Sequence, residues 1–318
     1  MNSATKVVHV VVGVIKGSQN KILIAKRPAH VHQGGRWEFP GGKVENDESA
    51  EDALRRELQE ELSIQIKKFC SLRKIRHDYQ DKSVLLDIYL VDRFLGDAHG
   101  CEGQPIKWVS IDQLKYFSFP EANRAIINML TLPEFCLITG KFDSPDDFFE
   151  KLRSSLERGI RLVQLRINEL GLQEQEEIAR KSYELCQQYD ALLLVKPSLG
   201  NMPGLDVAGM HLTSQQLFAY VQRPVAKEKL LSASVHNLTE LVRAEKLQAD
   251  FILLSPVLHT TSHPDAEPLG WDKFEVIVEK VNCPVFALGG VDESDLLQAK
   301  RCGAHGIAAI SALWGQKK

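Results

Sequence analysis

The chain predicts an α/β protein of two domains. A mixed strand-and-helix domain, in an order that suits an α/β/α sandwich, is followed by a (β/α)8 barrel. Three observations carry this. The length of 318 residues is enough for two domains of ordinary size. In the first 131 residues, one acidic amphipathic helix is flanked by strand-like runs. After Leu132-Pro133-Glu134, short apolar runs alternate with longer amphipathic ones until eight strands have been placed. The expected boundaries are a domain over 1–131, a linker over 132–134 and a barrel over 135–318.

Composition narrows the function classes. A hydrophobic content of 44% and a charged content of 25% are those of a soluble globular protein. A net charge of −3 argues against broad electrostatic binding to nucleic acid. The six cysteines are scattered with no CxxC pair, so neither a zinc site nor a disulfide scaffold is expected. Reduced thiols in the cytoplasm are the simpler account. The N-terminus lacks the layout of a signal peptide, and no apolar run reaches the roughly 18–20 residues of a membrane span. The expected partners are small molecules, with no nucleic acid and no membrane.

In the first domain, residues 7–15 form a β-branched run that reads as a buried strand, and 17–20 a turn. Residues 21–26 return as a strand, and 27–35 form a polar loop. The stretch 42–64 centres on a helix, because Ala53, Leu54, Leu58 and Leu62 recur at three- and four-residue steps. Glu57 then lies one turn from both Glu60 and Glu61. Three acids on one turn repel each other unless a cation sits among them. Such oxygens suit Mg²⁺, with Mn²⁺ able to take its place, and Mg²⁺ shares its shell with waters and substrate phosphates. The glycines ahead of the helix allow a tight turn that brings the Gly41 carbonyl towards the metal. A solvated acidic helix face is the plain alternative. Strands are expected at 64–72, 83–95 and 106–109, and helices at 112–116 and 121–130.

Written out, the helical stretch is Gly42-x5-Glu48-x7-Arg56-Glu57-Leu58-x-Glu60-Glu61-x2-Ile64, preceded by Trp37-Glu38-Phe39-Pro40-Gly41. This resembles the signature of the Nudix hydrolases, which cleave nucleoside diphosphates linked to another moiety. Ser63 departs from it, standing where the family has glycine. Over about residues 5–131 the chain is similar to the MutT-type members, which convert 8-oxo-dGTP to 8-oxo-dGMP and pyrophosphate and so keep 8-oxo-guanine out of DNA. The resemblance implies that Gly41, Glu57, Glu60, Glu61 and Glu102 hold the metal, with Glu57 or Glu102 as general base. Arg56 would orient Glu57 or Glu48. Arg27, His32 and Lys82 would lie near the nucleotide, Phe39 would line the base pocket, and the Asn123 amide would read the oxidised guanine. Plainer roles stand beside these: Asn123 as a helix cap, Arg27 as a surface charge, Phe39 as core.

In the second half, the runs at 135–139, 162–165, 191–195, 208–212, 230–233, 251–254, 284–288 and 306–310 read as barrel strands. Their ends, among them Gln164-Leu165-Arg166, Ser234-Val235-His236 and Leu288-Gly289-Gly290, resemble thiamine-phosphate synthase and the related thiazole tautomerase over about 135–314. The resemblance implies phosphate contacts at Arg166, Ser234, Gly289, Gly290 and Ser311. It also implies a proton-shuttling His236, for which an ordinary loop hydrogen bond is the alternative.

Four departures count against synthesis. Lys196-Pro197 replaces the Asn-Asp pair, and Gln216 replaces the second aspartate, that hold the family's Mg²⁺. His263 and Asn168 replace two lysines. The expectation is a barrel that binds a phosphorylated, thiamine-related ligand. An active thiamine-biosynthetic barrel beside a Nudix site for another nucleotide or a thiamine diphosphate derivative is one alternative. A metabolite sensor with a silent Nudix half is another.

Overall fold

A computed structural model describes residues 7–79, 82–167, 170–260 and 266–315. It divides into two compact units, Met1–Thr131 and Leu132–Lys318.

The first unit has two three-stranded sheets. In one, β1 (Val7–Ile15) lies parallel to β5 (Ser83–Leu95), which is antiparallel to β4 (Gln65–Asp78). In the other, β2 (Lys21–Lys26) pairs antiparallel with β3 (Trp37–Glu38) and β6 (Ile106–Ser110). The alternation of β1 shows how two layers form. Val11 and Ile15 pack with Leu54, Leu58 and Leu62 of α1 (Ala50–Leu62). Val12 and Val14 join the opposite cluster with Ile126 of α2 (Arg124–Thr131). Gly13 lets α1 approach, since a Cβ there would stand 2.9 Å from a Leu58 methyl.

Two expected helices differ in kind. Residues 111–116 form a 3-10 helix, and 121–130 splits into a 3-10 turn and α2. Pro120, with its ring holding φ at −56°, starts the tight turn that becomes α2.

The second unit is a closed, all-parallel barrel. Its strands are β7 (Phe135–Ile138), β8 (Leu162–Gln164), β9 (Leu192–Val195), β10 (Gly209–Leu212), β11 (Leu230–Val235), β12 (Phe251–Leu254), β13 (Val285–Leu288) and β14 (Gly306–Ala309). The crossovers carry α3 (Pro145–Glu157), α4 (Leu172–Gln188), α5 (Pro197–Gly200), α6 (Ser214–Ala219), α7 (Leu238–Lys246), α8 (Gly270–Val278) and α9 (Leu296–Arg301). Alternate residues face opposite ways. Cys136, Leu194, Phe251 and Phe286 fill one cluster, while their neighbours Leu137, Leu193, Ile252 and Val285 meet the helices. Residues 132–134, expected to form a linker, pack with the barrel. Leu132 is buried in the first of these clusters, and the Glu134 carbonyl accepts from Ile307 N–H (2.9 Å). Asn168, Thr261, Ser262 and His263 lie outside the described residues.

Candidate functional site

The Ser49 hydroxyl caps α1 by accepting the Asp52 N–H at 3.1 Å, and the buried leucine stripe fixes which side faces out. That outer side presents Arg56, Glu57, Glu60 and Glu61. Arg56 grips both oxygens of Glu48 (2.9 Å each), and its Nη1 reaches Glu57 (2.9 Å) and Glu60 (3.2 Å). It therefore orients both Glu48 and Glu57. Its bond to Glu48 is the main reason its pKa lies well above the ordinary value, with the glutamates on its own helix adding to this. Burial raises the Glu57 pKa, against the pull of Arg56. Gly42 makes room for that side chain: a Cβ there would come within 2.1 Å of the Glu57 carboxyl carbon.

Glu61 is the most perturbed acid of the group. Burial pushes it up to about 8, the Gly41 N–H opposes this, and the charges of Glu38, Glu57 and Glu102 push further up. The Gly41 N–H donates to Glu61 at 3.1 Å. Gly41 has φ +147°, and a Cβ would meet the Val11 carbonyl at 2.1 Å, so only glycine serves there. Glu102 reaches this group because its loop is tied to the end of α1. Cys101 N–H and the Gln104 amide both donate to the Glu61 carbonyl (2.9 Å each), and Gln104 accepts from Glu102 N–H (2.8 Å).

Glu38 was not among the expected site residues. It is partly buried, its pKa is raised by desolvation, and it is ion-paired to Arg27. Its place on a two-residue strand gave no periodicity to read, but its position three residues before Gly41 was a usable signal.

Among the described residues, no three acidic, histidine or cysteine side chains close into a ready-made metal cage. Mg²⁺ does not require one, because it takes one or two carboxylates and fills its shell with water and phosphate. A partly buried carboxyl among three others is relieved by such an ion, so the donor set fits.

On the nucleotide side, the Arg27 guanidinium donates to the His32 carbonyl (3.1 and 2.9 Å) besides pairing with Glu38. Arg27 thus shapes its own loop. His32 stands edge-on to Tyr79 (5.1 Å). Phe39 is buried and stacks on Phe119 (5.5 Å). Tyr79 hydrogen-bonds the Ala122 backbone, which brings the end of β4 to the segment carrying Asn123. Asn123 is 9% exposed and its N–H goes to the Pro120 carbonyl. Its amide has no hydrogen-bond partner among the described residues and caps no helix. Lys82 sits in the hairpin end beside Tyr79, whose N–H its carbonyl accepts (2.8 Å).

In the barrel, a cavity of about 1530 Å³ opens at the C-terminal ends of the strands. Arg166, Ser234, His236, Gly289, Gly290 and Ser311 all line it, as do Lys196 and Gln216. Thr139 fixes Arg166 by accepting its N–H (2.7 Å) and donating to its carbonyl (3.0 Å). The two glycines answer to packing: a Cβ on Gly289 would meet Pro256, and one on Gly290 the His259 carbonyl at 2.3 Å.

Two further residues escaped the sequence reading. His211 spans Ser232 (2.8 Å) and Ser234 (2.9 Å), and burial lowers its pKa to about 3, so it is neutral. Glu240 holds His236 Nδ1 at 2.9 Å. A carboxylate accepts, so the proton in this bond sits on Nδ1. The i, i+4 spacing of His236 and Glu240 was the signal available.

Comparison with known proteins agrees with both halves. A NUDIX domain profile matches residues 11–129, and a thiamine monophosphate synthase profile matches 135–313. The 8-oxo-dGTP diphosphatase of Escherichia coli K12 is 39% identical over 125 residues, covering 39% of this chain and 97% of that protein. A putative thiamine-phosphate synthase 2 of Aquifex aeolicus is 36% identical over 182 residues, 57% of this chain and 98% of that protein. The thiamine-phosphate synthase of Pyrococcus furiosus is 32% identical over 166 residues, 52% of this chain and 80% of that protein. The chain therefore belongs to the Nudix family through its first unit and to the thiamine monophosphate synthase family through its second.

Proposed function

We propose that the first unit hydrolyses 8-oxo-dGTP to 8-oxo-dGMP and pyrophosphate with Mg²⁺, or Mn²⁺ in its place. The observation that carries this reading is the geometry of the acidic group, where the Gly41 N–H donates to Glu61 at 3.1 Å and Arg56 ties Glu48, Glu57 and Glu60 together, with burial raising Glu61 to about 8. Glu57, Glu60, Glu61, Glu102 and the Gly41 carbonyl are the groups that would hold the ion. Bound there, it would neutralise triphosphate charge and acidify water. Arg56 keeps Glu57 in place, and the half-buried Glu57 is the group best suited to accept the proton of the attacking water. Glu102 is exposed and fits a ligand role better. The unspent Asn123 amide offers two donors and an acceptor to the purine edge, against the Phe39–Phe119 stack. Single-turnover pyrophosphate release tests the assignment. Glu57→Gln is expected to lose about 10²–10⁴-fold in kcat with Mg²⁺ saturating. Glu102→Gln is expected chiefly to raise the Mg²⁺ concentration needed. The reverse pattern would exchange the two roles.

For the second unit, we infer a binding barrel for a phosphorylated, thiamine-related ligand. Six family positions meet in one cavity, while Pro197 and Gln216 occupy the places of metal carboxylates and Lys196 that of an asparagine. Formation of thiamine phosphate by the full-length protein would defeat this reading.

A further inference from the structure

Among the described residues, two cations in the barrel cavity have no counter-charge. Arg166 and Lys196 follow the adjacent strands β8 and β9, and both line the cavity. Among the described residues, neither side chain has an ion-pair or hydrogen-bond partner. Lys196 is half-buried, where an unpaired ammonium is unfavourable until it meets an anion.

Among the described residues, the acids around the cavity are already engaged. The Asp292 carboxylate accepts from the N–H and hydroxyl of Ser294 (2.8 and 2.6 Å), Glu293 pairs with Arg158 (2.8 Å), and Glu240 holds His236. The fold family implies a Mg²⁺ here, and the residues present do not fit it. An ammonium, a proline ring and an amide stand where three oxygen-bearing side chains, two of them carboxylates, would ligate it.

We propose that the cavity binds a diphosphate group directly through Lys196 and Arg166, with no divalent cation. The ammonium supplies a compact positive charge, and the guanidinium fork can engage two oxygens of the same anion. This inference rests on the reading of the barrel as a phosphorylated-ligand site.

The test is calorimetric titration of the full-length protein with inorganic pyrophosphate, in EDTA and again in excess Mg²⁺. In EDTA the acidic cluster of the first unit repels the anion, which leaves the barrel cavity as the site. Binding in EDTA is expected, weakened at least tenfold by Lys196→Ala and by Arg166→Ala and kept by Lys196→Arg; binding that appears only with Mg²⁺ and is unchanged by Arg166→Ala belongs to the first unit. Thermal melting of each variant checks that it folds. Binding that needs Mg²⁺ and is lost in Arg166→Ala but indifferent to Lys196→Ala would overturn the inference and leave the phosphate-binding barrel standing. No binding in either condition would remove both.

Discussion

At the scale of single residues, the acids of α1 were legible because a helix turns spacing into proximity. The three- and four-residue steps from Glu57 to Glu60 and Glu61 put all three on one turn. Glu38 had no such signal, since its meeting with Glu61 depends on how β3 is laid beside α1. The Glu61 carboxyl gives a pH prediction. Its folded pKa of about 8 lies above the ordinary 4.5, so between these values the folded state binds the extra proton. In the metal-free protein this contribution to stability is full below about pH 4.5 and lost as pH rises through 8. Melting temperature in EDTA should therefore fall across that window, less steeply in Glu61→Gln, and added Mg²⁺ should raise it more at pH 8.5 than at pH 6. A flat profile in both proteins would contradict the assignment. Asn123 makes a second residue-scale claim. Removing hydrogen bonds from a buried site costs about 1–3 kcal/mol. Asn123→Ala should accordingly cut the preference for 8-oxo-dGTP over dGTP by about tenfold or more in kcat/KM, and an unchanged ratio would refute base reading.

At the scale of elements, the strand runs were read well in both units because their periodicities are plain. What escaped was backbone detail. The apolar pattern of 121–130 does not distinguish a 3-10 turn from an α-helix, and β4 continues through polar residues to Asp78 because β5 supplies its hydrogen bonds. The departure at Ser63 was visible, and so was its cost. Ser63 ends α1 with φ +56° and ψ +33°, the left-handed cap where glycine is favoured, and its N–H donates to the Gln59 carbonyl at 3.0 Å. Relieving that conformation, less the extra freedom glycine gains when unfolded, should make Ser63→Gly more stable by about 0.5–1 kcal/mol. Denaturant midpoints would register this with hydrolysis unchanged. A destabilised variant would mean that the serine side chain makes a contact of its own.

At the scale of the whole molecule, each unit has its own core and its own candidate site. The acids of α1 share its outer side, and Glu102 is brought towards them by a loop tied to the last turn of α1. The barrel gathers its family positions at one mouth, yet presents an ammonium, a proline ring and an amide where the resemblance implies metal ligands. The most direct test of the account is pyrophosphate release by the full-length protein with Mg²⁺, comparing 8-oxo-dGTP with dGTP and using Glu57→Gln as control. The account predicts a strong preference for the oxidised nucleotide, abolished by the substitution. Little turnover of either nucleotide, or turnover that survives Glu57→Gln, would contradict it.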